Sequence, residues 1–370
     1  LKKVIVSVTN DLSTDQRVDK VCTTLTTIGF DVKLIGRKLP DSLPLSRPYM
    51  THRMKLFFRK GPFFYAEYNI RLFLYLLFSK SELLVSNDLD TLPANYLVHK
   101  LKRIPLVYDS HEYYTETPEL VNRPLVKNIW EKIEGCIFPK LTDIITVNES
   151  IAGMYEAKYS KQLFVVRNIP VRRNELNQYS RKELGLDPEK HLIILQGAGI
   201  NIQRGAEEAI AAMKYVADSV LLIVGGGDVI DHLKKQVIEE ELTDRVMFMP
   251  KMPYSELMKY TAAAEIGLTL DKDTNINYRY SLPNKLFDYI HAGTPVLASP
   301  LPEIKKIVEE YNIGLLTENH NPEHIADRIN FMISNDYKSL LRKNLEKAAS
   351  ELNWQNEEKQ LKLVYSKYAG

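Results

Sequence analysis

The fold is decided by residues 4–35, VIVSVTNDLSTDQRVDKVCTTLTTIGFDVKLI. Val4 to Val8 is a β-branched run suited to a buried strand. Asn10 to Arg17 is polar, as a loop entering a helix should be. Val18, Val21, Cys22, Leu25 and Ile28 then recur at helical spacing, and Gly29 can end that helix. Asp31 to Ile35 reads as the next strand. Strand, loop, amphipathic helix and strand in this order are the opening of a doubly wound parallel sheet.

The pattern continues outward. Strands are expected at Leu83–Ser86, Leu106–Tyr108, Ile144–Val147 and from Phe164, with helices between them. Arg172 to Glu189 is polar and lacks apolar periodicity, and reads as a linker. A second series follows: strands at His191–Gln196, Val220–Val224, Val246–Met249, Ile266–Leu270 and Ile313–Leu316, again separated by helices. A chain of 370 residues exceeds the usual size of one core. The expected domains are therefore 1–172, 173–350 and a terminal helical segment, 351–370. The fold class is α/β, two Rossmann-like doubly wound domains facing a central cleft.

Composition narrows the function. Net charge is +2, but residues 1–172 sum to +7 and residues 173–370 to −5. A basic half suggests an anionic partner. Nucleic acid fits poorly, because the basic residues are local and no nucleic-acid motif appears. Cys22 and Cys136 show no metal spacing and no disulfide framework, which fits a reducing compartment. No signal peptide is read ahead of the first strand, and no apolar run reaches the length of a membrane span. A cytoplasmic protein is expected.

In doubly wound sheets, ligands bind beyond the carboxyl ends of the strands. Ser281–Glu303, SLPNKLFDYIHAGTPVLASPLPE, is the richest such region. Ser281 can cap a helix, Pro283 suits its first turn and Gly293 its left-handed end. Lys285 falls in that first turn, where the macrodipole disfavours a cation unless an anion is also present. The plainer reading is a surface lysine. Arg204, ahead of Gly205, is a second cation at a helix start, and the two point to one shared anion. Gly225-Gly-Gly-Asp228 leaves bare backbone after a strand, for a phosphate, a base or simply a tight turn. Asp109-Ser-His-Glu-Tyr113 places His111 after a strand, as ligand contact or loop brace. Asn87-Asp-Leu-Asp90 reads as polar lining or a helix cap rather than a metal site. Asp15 and Arg17 read plainly as a cap and a surface ion pair.

Arg47, Arg53, Lys55, Arg59 and Lys60 come with no acid until Glu67, interleaved with Phe57, Phe58, Phe63, Phe64 and Tyr65. This suits an interfacial membrane patch or an acidic acceptor. Ile70 to Phe78 is nearly all apolar and reads as a buried helix.

These residues together resemble the retaining GT-B glycosyltransferases of family 4, the glycosyltransferase group 1 type. The resemblance rests on Gly197, Arg204-Gly205, Gly225–Asp228 and Leu282–Ser299. It rests also on Asn10-Asp11, Asp15-Gln-Arg17, Asn87-Asp88 and Tyr108–Glu112. It implies a hexose donor, UDP- or GDP-linked, held by the C-terminal domain. Arg204 and Lys285 would meet the diphosphate with Gly197, Gly205, Gly226, Asp228 and the backbone of Ser281, Leu282, Pro283 and Asn284. Asp288 would hold the ribose, Lys251 and Met252 the base, and His111 would lie beside the sugar. Asn10, Asp11, Arg17 and Asp88 would bind the acceptor, a saccharide or lipid-linked saccharide. No metal and no further cofactor would be required. The last helix, with Trp354, would return to the first domain.

Two positions depart from the family pattern. Tyr280 stands where the first acid of the E-x7-E motif belongs, and Gly199 where a second phosphate-binding cation belongs. Lys285 is the expected substitute for that cation. The resemblance also allows a nucleotide-sugar 2-epimerase on the same fold, or a non-catalytic nucleotide-binding assembly protein. A transferase in surface polysaccharide synthesis, cytoplasmic and at the inner face of the membrane through Arg47, Arg53, Lys55, Arg59 and Lys60, is the leading expectation.

Overall fold

The computed structural model describes residues 1–13, 15–40, 42–121, 123–172 and 179–369. The linker expected over 172–189 thus falls partly on 173–178, outside the described residues. The chain divides into two compact units. One comprises Leu1–Asn168 and Glu357–Gly370, the other Ile169–Asn356. Each is a doubly wound α/β unit, as the sequence predicts.

In the first unit, β1 (Lys2–Asp11), β2 (Phe30–Arg37), β3 (Met50–Met54), β4 (Leu83–Asn87), β5 (Leu106–Ser110), β6 (Asp143–Thr146) and β7 (Phe164–Val165) form one sheet. Its order is β3-β2-β1-β4-β5-β6-β7. All six pairings are parallel. β1 is central, paired on both edges and covered on both faces, so Val4 to Thr9 are all buried. β3 was not expected. It is an edge strand whose first three residues are exposed, and an edge needs little apolar alternation.

The helix expected to be buried at 70–78 runs over Pro62–Phe78 and is buried on one side only. Phe64, Tyr68, Leu72 and Leu76 enter the core at spacings of four, while Ile70, Leu74 and Phe78 are exposed. Glu67 also lies on the outer side.

The second unit holds β8 (His191–Gly197), β9 (Ser219–Gly225), β10 (Val246–Met249), β11 (Ile266–Thr269), β12 (Val296–Ala298) and β13 (Gly314–Leu316), in the order β10-β9-β8-β11-β12-β13. Its helices cover both faces. Ala206, Ala209, Ile210 and Met213 pack against one, and Leu286, Phe287, Tyr289 and Ile290 against the other. Each fully buried aliphatic side chain contributes about 1.5–3 kcal/mol.

Ser281 does not cap the helix that follows. Its hydroxyl donates to the Tyr278 carbonyl (2.9 Å). The helix spans Asn284–Ala292, with extended Pro283 before it and no side chain capping its N-terminus. Gly293 ends it in the left-handed region, φ 69°. Among the described residues, no helix is long and apolar enough to cross a membrane.

Candidate active site

In the second unit the strand order reverses at β8, between β9 and β11, which is where open α/β sheets bind ligands. Two glycines build this edge. Gly225 has φ 137°, and a Cβ there would stand 1.8 Å from the Gly197 carbonyl oxygen. Gly205 has φ 75°, and its Cβ would stand 2.3 Å from the Leu270 oxygen. Only glycine allows both backbones this close. The loops after β8 and β9 are knitted by Gly226 N–H to Gly197 O (3.2 Å) and Ile200 N–H to Gly226 O (2.8 Å).

Arg204 and Lys285, the two cations placed at helix starts, do share an anion, and the protein supplies it. Arg204 Nη1 is 3.0 Å from one oxygen of Asp271 and Lys285 Nζ is 3.1 Å from the other. Asp271 lies two residues beyond the end of β11 and is fully buried. Burial would raise its pKa, but Lys285 and then Arg204 outweigh burial and hold it below the ordinary carboxylate value. The trio carries a net charge of +1. Arg204 also lies over the Tyr278 ring, 4.7 Å from its centroid. Arg204 remains partly exposed, whereas Lys285 is nearly buried.

The other expected donor residues divide into three groups. Gly197, Gly205, Gly226 and Asp228 lie in the knitted loops, with Asp228 exposed and its N–H donating to Asn201 Oδ1 (3.2 Å). Lys251 follows β10 and lies over Gly226, its Cε 2.8 Å from where a Cβ would be; Met252 packs into the core beside it. Ser281, Leu282 and Pro283 are partly buried and Asn284 is exposed, all leading into the uncapped helix. Asp288 is buried one turn further on. Its carboxylate accepts from Tyr254 (2.9 Å) and Gln196 (3.0 Å).

The first unit reverses its strand order at β1 and β4. His111 follows β5, and its ring lies between acceptors. Nδ1 is 3.1 Å from Asp88, and Nε2 is 3.2 Å from Asn87 Oδ1 and 3.6 Å from Asp109. The Asn87 amide nitrogen is committed to the Ser7 carbonyl (2.9 Å), so its oxygen must face the imidazole. Both ring nitrogens therefore donate, and the ring is an imidazolium. Burial alone would lower its pKa; the carboxylates of Asp88 and Asp109 outweigh burial and raise it well above the ordinary value. Asp88 reaches the ring from a left-handed backbone, φ 58°, and also accepts the His111 N–H (2.9 Å). Asp90 lies behind, buried and accepting from Thr9 (2.6 Å); burial first, then Asp88, pushes its pKa to about 8.

Three expected acceptor contacts are corrected or qualified here. Arg17 is neither on the surface nor free to meet an acceptor. Its guanidinium is buried, donating to Asp109 (2.7 Å) and to the Val166 carbonyl (2.8 Å). It braces the aspartate under His111. Burial would raise the Asp109 pKa, but Arg17 and His111 pull it down to about 2. Asp11 accepts from Ser13 N–H and Oγ and from Ser42, and Asn10 donates to Asp15 (3.0 Å). Asp15 is the helix cap it was read as, accepting from Val18 N–H. Arg47 and Arg53 are also engaged, with Asp19 (3.1 Å) and Asp11 (3.8 Å).

Asp271 is the residue that sequence reasoning missed. A signal was present: it is the first charged residue after the strand expected over Ile266–Leu270, at that strand's carboxyl end. Asp109 is the other buried anchor, and in the sequence only its place two residues before His111 marks it.

Comparisons with known proteins agree with this layout. Residues 178–352 match the family model described as "Glycosyl transferases group 1". The chain is 26% identical over 244 residues to the alpha-monoglucosyldiacylglycerol synthase of Streptococcus pneumoniae, covering 60% of this chain and 52% of the relative. The chain thus spans about half the length of that curated relative. Sucrose-phosphate synthase from Thermosynechococcus elongatus superposes with a TM-score of 0.80 at 18% identity, over 100% of this chain and 99% of the other. Anabaena HepE, solved in complex with UDP-glucose, gives 0.73 at 14% identity, over 99% of each chain. At these identities the structures speak for the fold, and both cover essentially the whole length of two Rossmann-like α/β domains. Residues 178–352, which carry the glycine loops and the Arg204–Asp271–Lys285 trio, are thus similar to a glycosyltransferase group 1 domain.

Proposed function

We propose that the protein is a retaining glycosyltransferase. It moves a hexose from a UDP- or GDP-sugar to a hydroxyl of a saccharide or lipid-linked saccharide, in surface polysaccharide synthesis. The observation that carries this reading is the Arg204–Asp271–Lys285 trio at the strand-order reversal, beside backbone loops that only glycine can form. It is a preorganised cationic site of the kind that stabilises a leaving diphosphate. The family match over 178–352 and the UDP-glucose bound by the similar Anabaena HepE support the donor class.

In this mechanism the bond from sugar C1 to the diphosphate oxygen breaks as the acceptor oxygen bonds to C1 on the same face. The acceptor proton passes to the leaving phosphate oxygen, and nucleoside diphosphate departs. Arg204 and Lys285 neutralise the developing charge, with N–H groups at the Asn284 helix start. These cations make a metal unnecessary in this scheme. His111, held as an imidazolium, cannot take the acceptor proton; it acts by hydrogen bonding and charge beside the sugar. Asp288 serves the ribose.

The test is a thermal-shift panel of UDP, GDP and their sugars, followed by turnover with saccharide acceptors and NMR of the product anomer. A raised Tm with one nucleotide series, then transfer with retained configuration, is expected. No shift with any nucleotide would overturn the reading. Isomerised donor formed without acceptor would place the protein among the epimerases instead.

A further inference from the structure

The outer face of the Pro62–Phe78 helix is the largest feature that the transfer reading does not use. Phe63, Ile70, Leu74 and Phe78 are exposed, Phe78 by 82%. Their spacings of seven and four align them along one side. The stripe is about 22 Å long at 1.5 Å per residue. The opposite side already feeds the core through Phe64, Tyr68, Leu72 and Leu76, so this face is surplus to folding.

The adjoining loop is fixed onto the same face. Glu67 lies within the stripe, but its carboxylate accepts the N–H groups of Phe57 (3.0 Å) and Phe58 (2.9 Å) and pairs with Arg71 (2.8 Å). The one acid of the face is thereby covered and neutralised. Phe57, 85% exposed, lies under the Arg71 guanidinium, and Phe58 packs on Phe63 (5.4 Å between ring centroids). An unpartnered apolar strip thus joins a pair of presented phenylalanines.

A cation cluster flanks it. Arg37, Lys38, Lys55, Phe58 and Arg59 line a cavity of about 350 Å³, and Lys60 is exposed beside it. Among the described residues, no carboxylate pairs with any of these five cations; Asp41 lies outside the described residues. Lys55, Arg59 and Lys60 are what remains of the basic stretch once Arg47 and Arg53 are bound to Asp19 and Asp11.

We propose that this face docks on an anionic phospholipid bilayer. The stripe and Phe57 enter the headgroup–acyl boundary, and the cavity of Arg37, Lys38, Lys55 and Arg59 receives lipid phosphates. Charge selects this occupant. A second copy of the chain would bring two uncompensated cation clusters together, whereas an anionic bilayer supplies the missing charge and apolar depth in one surface. The inference does not depend on the transferase reading.

The experiment is co-sedimentation of the full chain with phosphatidylcholine vesicles and with vesicles also containing phosphatidylglycerol, at low and high salt. Binding to the anionic vesicles is expected, falling with salt as screening requires, and about tenfold or more weaker on phosphatidylcholine alone. Leu74→Glu should weaken binding about tenfold, and Lys55→Glu with Arg59→Glu should abolish the anionic preference. Both alter exposed side chains, and an unchanged Tm checks the fold; Phe57→Ser is the second variant should either lose it. Absence of binding to anionic vesicles would overturn the proposal, as would equal binding to both kinds or indifference to Leu74→Glu. A dimer dissolved by Leu74→Glu, without vesicle binding, would assign the face to a second copy instead.

Discussion

Lys285 Nζ stands 3.1 Å from Asp271, on a carboxylate whose other oxygen is 3.0 Å from Arg204. One buried carboxylate therefore positions both cations. Lys285→Ala should lower nucleotide-diphosphate affinity tenfold or more, because a charge-assisted contact is worth about 1.5–3 kcal/mol. Calorimetric titration with UDP and GDP reads this directly, and unchanged affinity would remove Lys285 from the donor site.

Asp271→Asn acts on the other side of the pair. It leaves two neighbouring cations without their common anion, and should destabilise the protein by about 3–5 kcal/mol. Urea melts measure the loss. Added UDP should recover part of it in the variant, since the diphosphate restores negative charge to the same spot.

His111 gives a pH-linked prediction. Its folded pKa is raised by Asp88 and Asp109. The stability it contributes is fully present below the ordinary imidazole value and is lost as pH rises through the folded one. In NMR titrations the ring should stay protonated at pH 7, and Asp88→Asn should bring its titration down. His111→Ala should cut turnover about a hundredfold. Equal turnover would mean the imidazolium only braces Asp88.

Asp90 slopes the same way for a different reason. Its folded pKa is raised to about 8, mainly by burial. The folded state keeps a proton that the unfolded chain releases above about 4. Stability should fall as pH climbs from there toward 8, by at most about 1.4 kcal/mol per pH unit. Asp90→Asn should flatten that slope in Tm against pH. An identical slope in the variant would place the titrating group elsewhere.

Gly205→Ala tests the backbone of the proposed donor loop. The new Cβ would meet the Leu270 oxygen at 2.3 Å with φ at 75°. A loss of about 1–3 kcal/mol is expected from the strain. Nucleotide affinity should fall with it, because Leu270 immediately precedes Asp271.

The sequence disclosed the fold where its local rules act alone. Val4–Val8, the Val18–Ile28 periodicity and Gly293 each report their own backbone state. It disclosed where the cations of the site would be, since Arg204 and Lys285 violate the helix dipole in a visible way. It did not disclose their partner, because the pairing of Asp271 with Lys285 is set by the β11 crossover and not by spacing. Arg17 misled for the same reason. Nothing near it in the chain shows that Asp109, ninety-two positions away, lies under its guanidinium. The Pro62–Phe78 helix misled in the opposite direction. Residues 70–78 are nearly all apolar, and only the packed structure tells which side the core receives.

The last helix has a consequence for synthesis on the ribosome. Trp354–Ser366 carries Leu361, Val364 and Tyr365, all buried, and Glu357, whose carboxylate accepts from the backbone N–H (2.7 Å), Nε (2.9 Å) and Nη2 (2.6 Å) of Arg167. These residues from Glu357 onward belong to the unit whose sheet is translated first. The second unit is a single continuous segment, Ile169–Asn356. The first has part of its core unfilled until residues 357–365 have been made. Release of the chain before residue 361 therefore leaves the unit of the earliest-made sheet without the buried side chains of Leu361, Val364 and Tyr365.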